Sequence, residues 1–241
     1  MELKKNNTST AEKLVKNSIR LFTGETISKL IALATQIVAA RYLGDKGFGT
    51  FAFAFSITGI LAVLADSGIN TLLIREISRE PDKADNYLGN AFFLKAGLSV
   101  VILAMLLAMP NVFPLGEEAR LVVWAIGLAM LINGYSDTYI AVFRAFENMA
   151  LVSILMIIQR GMFFTGAMVL LLMDYKVVPL SLAFLAAAVL NLIIVRWKMK
   201  SIYGSQLWVV DKSRLKEILS RSLPIGGTIF FTYIYFRIDS V

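Results

Sequence analysis

The sequence predicts an all-α polytopic membrane protein: a six-helix transmembrane lobe followed by the start of a seventh helix. Composition and pattern carry the membrane reading. Of the 241 residues, 57% are hydrophobic, whereas a soluble domain is nearer about 45–50%. Charged residues make up 17% and are bunched between apolar runs. Several runs approach the roughly 20 residues that a helix needs to cross a bilayer core. Barrel strands would alternate with a period of two over about 10 residues, and that alternation is absent. These observations argue against a water-soluble all-α protein.

Residues 1–20 form a polar, basic lead-in with Lys4, Lys5, Lys13, Lys16 and Arg20. Ser9 and Glu12 have capping-box spacing, so a helix is expected to begin near Ser9. Leu14, Val15, Ser18, Ile19 and Phe22 share one face, which predicts a short amphipathic helix on the membrane surface. The first spans are 21–43 and 48–74. Between them Gly44-Asp45-Lys46-Gly47 is a turn, with glycine at both ends for a tight reversal. Further spans follow at 87–109, 119–143, 150–173 and 177–197. All are helices, because lipid offers the backbone no hydrogen-bond partners.

Residues 198–221 read as a cytoplasmic linker ending in a second basic amphipathic stretch, with Leu215, Ile218, Leu219 and Leu223 on one face. The seventh span occupies 222–241, with Pro224 in its first turn, where proline is tolerated. At an offset of 204, Leu14, Val15, Ser18, Ile19 and Leu21 align with Ile218, Leu219, Ser222, Leu223 and Ile225. This correspondence suggests that 21–197 is one repeat and that the seventh span opens a second. A lone seventh helix would have no bundle to pack into, so a truncated chain lacking its second lobe is expected.

The distribution of Lys and Arg orients the chain. With the N-terminus in the cytoplasm, that side holds the five lead-in charges, Arg75, Arg79, Lys83, Arg144 and the cluster from Arg196 to Arg221. The opposite side holds Arg41, Lys46, Arg120 and Lys176. The predicted location is the cell membrane. The N-terminus lacks a signal peptide's adjacent apolar region and small-residue cleavage site. There is no Cys and no His, which removes thiol chemistry, Cys/His zinc sites and histidine proton switching. No cofactor or metal is expected. The net charge of +7 is read as membrane topology rather than nucleic-acid binding.

Four stretches taken together resemble a known family: ARYLGDKGFGTFAFA, LADSGINTLLIREISR, FRAFEN at Phe143–Asn148, and LPIGGTIFFTYIYFRIDS. The family is the oligosaccharide flippases, the O-antigen-type polysaccharide-biosynthesis branch of the multidrug/oligosaccharidyl-lipid/polysaccharide exporter superfamily. The resemblance covers almost the whole chain. It implies two six-helix lobes joined by a cytoplasmic linker, and movement of lipid-diphosphate-linked oligosaccharides from the inner to the outer leaflet. Expected partners are membrane lipid, the lipid-linked oligosaccharide, and glycan polymerase or transferase machinery.

Ionisable residues within spans are costly to insert and mark functional or paired positions. Glu25 and Lys29 lie four apart on one helical face, where they could pair with each other; alternatively Lys29 faces substrate phosphate. Asp66 is read first as part of a helix-end cluster with Arg75, Glu76 and Arg79, and second as a charge-balancing group. Lys95 is expected to snorkel to the cytoplasmic surface. Asp137, beside Asn133, Tyr135, Ser136, Thr138 and Tyr139, is expected to face a cavity. Arg160, near mid-membrane, needs a partner or a watery cavity. Arg237 and Asp239 lie far along the seventh span. Lys29, Arg160 and Arg237 would together present positive charge to a diphosphate, which arginine's planar fork suits. Glu25, Asp137 and Asp239 would balance that charge or bind a coupling cation or proton. Trp124, Trp197 and Trp208 fall near predicted membrane interfaces.

Two other functions compete. A multidrug/cation antiporter of the same fold would place acids in the cavity. A membrane-embedded glycolipid-modifying enzyme would need an acidic metal cluster or a His/Asp base on its loops. The sequence has no His and shows no paired-aspartate loop motif.

Overall fold

The computed structural model describes residues 2–112, 115–204 and 210–237. Helix α1 (Glu2–Asp66) is interrupted at Gly44, whose φ of 64° and ψ of −179° are not helical. Residues 32–36 and 48–56 line one cavity. A straight helix at 1.5 Å per residue would separate them by about 20–30 Å, so the two arms fold back as a hairpin. The turn is tighter than the four residues expected, because Asp45 to Gly47 are already helical. The lead-in is likewise continuous with the first arm and does not form a separate surface helix.

The remaining helices are α2 (Ile69–Arg79), α3 (Ala84–Val112), α4 (Glu117–Ala145), α5 (Met149–Leu172), α6 (Val177–Tyr203) and α7 (Lys212–Arg237), with a single 3-10 turn at Pro81–Lys83. Among the described residues, five helices are long and apolar enough to cross a membrane, the first of them a hairpin. The all-α six-span lobe with the start of a seventh helix is therefore the observed architecture.

The apolar run 48–74 is not one helix. Ser67 and Gly68 have φ of 44° and 76° and divide it into α1 and α2. Ser67 donates its hydroxyl to Leu64 O (2.5 Å). Helix α7 packs against α1, α2 and α3 and crosses this break at Gly226. A Cβ there would lie 2.6 Å from Ser67 O, and one at Gly68 would lie 2.6 Å from Gly226 N. The second amphipathic stretch is the first half of α7 and is not a surface helix. Ile218 is buried in a cluster with Leu72, Ile77 and Tyr87. Pro224 falls inside α7 and not in a first turn.

Polar contacts fasten the start of α7. Asn90 Oδ1 accepts from Asp211 N (3.0 Å). Arg214 donates to the Tyr87 hydroxyl (2.7 Å) and covers its ring. Arg221 reaches Glu76 (3.6 Å) and Glu217 (3.0 Å). At the α4–α5 corner, Glu147 turns the chain at φ 58° and Asn148 caps α5 by accepting from Leu151 N (3.3 Å).

The core is in two parts. One cluster at the Gly44 end includes Phe51, Leu106, Ile126, Phe163 and Phe184. The other, at the opposite end, includes Ile69, Leu73, Phe92, Phe143 and Leu155. Each helix crossing the gap carries polar residues there: Thr58 and Asp66 on α1, Lys95 and Ser99 on α3, Asn133, Ser136 and Asp137 on α4, Gln159 and Arg160 on α5, and Asn191 on α6. A polar waist thus separates two apolar cores.

Candidate functional site

Two cavities open on the waist, lined in succession by one stripe of α1. Phe48, Ala52, Phe55 and Ser56 face the first, and Gly59, Ala62, Val63 and Asp66 face the second. These intervals of three and four residues keep them on one helical face.

The second cavity, of about 340 Å³, is centred on Lys95, Asp66, Asn70, Asn133 and Asp137, and α7 contributes Ile229 and Tyr233. Lys95 does not snorkel; it is 3% exposed. Its ammonium meets Asp66 Oδ1 at 2.7 Å, Asn70 Oδ1 at 2.9 Å and Gly134 O at 3.0 Å. The contact with Asp66 is an ion pair, and those with Asn70 and Gly134 are hydrogen bonds. Arg75, Glu76 and Arg79 therefore do not hold Asp66 in a helix-end cluster. Glu76 instead pairs with Arg75 (3.9 Å) and Arg221 (3.6 Å). One ion pair and two hydrogen bonds are what permit a lysine at this depth.

Asp137 faces the same cavity and is within electrostatic reach of Lys95, Asp66, Arg144 and Arg160. Tyr135 donates to Ser99 (3.3 Å). Gln159 on α5 donates to Asn133 Oδ1 (2.8 Å), tying the cavity to the helix that carries Arg160. Tyr233 approaches α1 so closely that a Cβ at Gly59 would overlap its hydroxyl.

The first cavity, of about 240 Å³, is walled by Phe48, Phe51, Phe55, Phe163 and Phe184, with Thr35, Gln36, Ser56 and Arg160 as its polar groups. Arg160 is the twelfth of the 24 residues of α5, which puts it at mid-height. Among the described residues, no carboxylate is paired with Arg160, and the guanidinium is exposed to the cavity.

The other expected site residues are dispersed. Glu25 pairs with Arg144 (3.9 Å) instead of Lys29. Lys29 is exposed on α1, one turn before the cavity residue Ala32. The Arg237 side chain and all of Asp239 lie outside the described residues, so the three expected bases are not seen together. The two acids Asp66 and Asp137 share a cavity. Trp124 donates to Leu106 O (3.0 Å), Trp197 is exposed, and Trp208 lies outside the described residues.

Lys95, as partner of Asp66, is the functional candidate that sequence reasoning missed. The available signal was an acid directly before Ser-Gly, marking the end of a broken helix, with a lysine deep in the next apolar run and no acid on its own helical face.

Polysaccharide biosynthesis proteins are described by a family model that matches residues 14–241. The chain belongs to this family. Its fold is also that of solved transporters. A MATE bound to Br-NRF aligns at 21% identity and a TM-score of 0.79, over 94% of this chain and 55% of that one. An outward-facing multidrug resistance MATE transporter of the MOP superfamily aligns at 19% identity and a TM-score of 0.73, over 92% and 52%. A MOP-superfamily transporter from Pyrococcus furiosus, reported for the reverse polarity of its binding pocket, aligns at 19% identity and a TM-score of 0.72, over 92% and 52%. The chain spans about half the length of each. No curated protein matches it. Family and fold are those of multi-pass membrane transporters.

Proposed function

We propose that this chain supplies one lobe of a flippase that moves lipid-diphosphate-linked oligosaccharides from the inner to the outer leaflet. The observation that carries the reading is Arg160, a mid-height cation with no ion pair among the described residues and only the longer-range attraction of Asp137, in a cavity of phenylalanines. An arginine there needs an anion, and its planar fork suits diphosphate oxygens. The aromatic walls suit an apolar lipid chain. Lys29 and Arg237 would extend the cationic path. Membership of the polysaccharide biosynthesis family supports the substrate class.

In this reading the Asp66–Lys95–Asp137 cavity couples the lobes. Glu25, Asp66 and Asp239 balance charge, or bind a cation or proton, as the site empties. Movement follows alternating access, with the lobes rocking about a midplane site. Close packing of Gly226 on Ser67–Gly68 provides the pivot. The N-terminus is assigned to the cytoplasm of the cell membrane by the excess of Lys and Arg at that end, with 21–197 as the first lobe and 198–221 as the linker. Glycan polymerase or transferase machinery would meet it there.

A second reading is a multidrug/cation antiporter. Asp66 and Asp137 in one cavity favour it, because organic cations seek carboxylates.

The test is complementation. The full-length protein is expressed in a strain lacking its oligosaccharide flippase, and surface glycan is assayed. Arg160→Ala is expected to abolish rescue at unchanged membrane insertion. Normal glycan from Arg160→Ala overturns the cationic-site reading. Drug resistance that depends on Asp137, with no glycan rescue, favours the antiporter.

A further inference from the structure

A third cavity lies across Tyr135 from the Asp66–Lys95 cavity. It has a volume of about 200 Å³ and is lined by Phe92, Ala96, Tyr135, Tyr139, Leu192 and Arg196. Its floor is α4, through Tyr135 and Tyr139, and its sides are α3 and α6. Phe92 stacks on Tyr135 at 5.7 Å and tilts against Tyr139 at 4.9 Å, so the floor is rigid and aromatic.

The flanks of the groove identify what can reach it. Along α3, Phe93, Val100 and Val101 are exposed, and along α6 so are Val189, Leu190 and Ile193. These are apolar surfaces of membrane-spanning helices, which lipid covers. A groove between them is filled from the bilayer, not from water.

One charge stands at its mouth. Arg196 is exposed and, among the described residues, has no ion-pair partner. It lies within electrostatic reach of Tyr139. Trp197 and Lys198 follow, with the ammonium 4.7 Å from the ring centroid; a tryptophan with flanking cations marks the headgroup level. A guanidinium there, one or two helical turns from apolar Leu192 and aromatic Phe92, matches a molecule with an anionic head and an apolar tail.

We infer that the groove between α3 and α6 is a binding site for an anionic membrane phospholipid, with its phosphate on Arg196 and part of an acyl chain against Phe92, Ala96 and Leu192. The site does not depend on the flippase reading. Tyr135 is also a wall of the Asp66–Lys95 cavity, so one ring separates the bound lipid from the buried ion pair.

The intact protein in detergent micelles is titrated with phosphatidylglycerol or phosphatidylcholine of identical acyl chains, and bound lipid is counted by native mass spectrometry. The choline group opposes the arginine charge, so phosphatidylglycerol should bind about tenfold more tightly, as one charge-assisted contact predicts. Arg196→Gln should remove that preference, and Lys198→Gln, which changes a neighbouring cation, should leave it. No preference in the wild type, or a preference that survives in Arg196→Gln, overturns the site. Equal loss in Lys198→Gln would assign binding to the general basic belt and overturn it too. Displacement of the lipid by excess inorganic phosphate, with no dependence on acyl chain, would identify a free-phosphate site instead. Arg196 is exposed, so its replacement leaves the fold intact.

Discussion

The two waist cavities hold cations of opposite circumstance. Lys95 is enclosed, ion-paired with a carboxylate and hydrogen-bonded to an amide oxygen and a backbone carbonyl. Arg160 is open, among phenylalanines, with no ion pair among the described residues and only the longer-range attraction of Asp137. The first arrangement stabilises the lobe without a ligand. The second, in the function proposed above, is completed by the anionic substrate. In a membrane a buried charge thus serves structure or recognition according to whether its partner is built in.

Removing one side of the built-in pair should have the largest effect on stability. Lys95→Met leaves Asp66 without its cation and should cost about 3 kcal/mol, read as a lower unfolding temperature in detergent. Adding Asp66→Asn should recover part of the loss, and an additive double variant would show that the pair is not coupled. Next comes Gly226→Ala, whose added methyl group would meet the Ser67 backbone. Overpacking of this kind costs about 1–3 kcal/mol, and cross-linking between α7 and α2 should fall in parallel.

Arg160→Ala sharpens the contrast from the other side. It should change stability by no more than about 0.5 kcal/mol while abolishing glycan rescue; a large loss of stability would make Arg160 structural, like Lys95. The smallest effect is expected at exposed Glu80. Lys83, 2.7 Å away, donates to its carboxylate and attracts it, holding the group below its ordinary value. The resulting stabilisation is present at neutral pH and is lost as pH falls through that lowered value. Lys83→Ala should slightly flatten an acid-unfolding profile.

Most of the fold was legible in the sequence because bilayer thickness is a ruler: the apolar runs placed α3 to α6 to within three residues at each end, except that α6 continues six residues past the expected 197. Gly44 was legible as a turn. The break at Ser67–Gly68 was less so, although Asp66, Ser67, Gly68 and Asn70 interrupt the apolar run, because Leu72, Leu73 and Ile74 resume it beyond. The structure shows the break as two left-handed residues packed beneath α7. Lys95 was misread for a related reason. Its partners Asp66, Asn70 and Gly134 come from three other helices, and no spacing along one chain segment announces such a pairing. Asp137 and Arg160 could be singled out because a charge in an apolar run stands out locally, whichever helix it faces.

The helix break has a consequence for isotope labelling. The first turn of α2 offers N–H groups at Ile69, Asn70 and Thr71 that have no carbonyl one turn earlier in their own helix, whereas Val63 O and Leu64 O at the end of α1 accept from Ser67. Asn70 also lines the charged cavity. In deuterated buffer these amides should exchange far faster than those of α4 or α5 at equal depth, giving a band of rapid hydrogen exchange halfway across the bilayer.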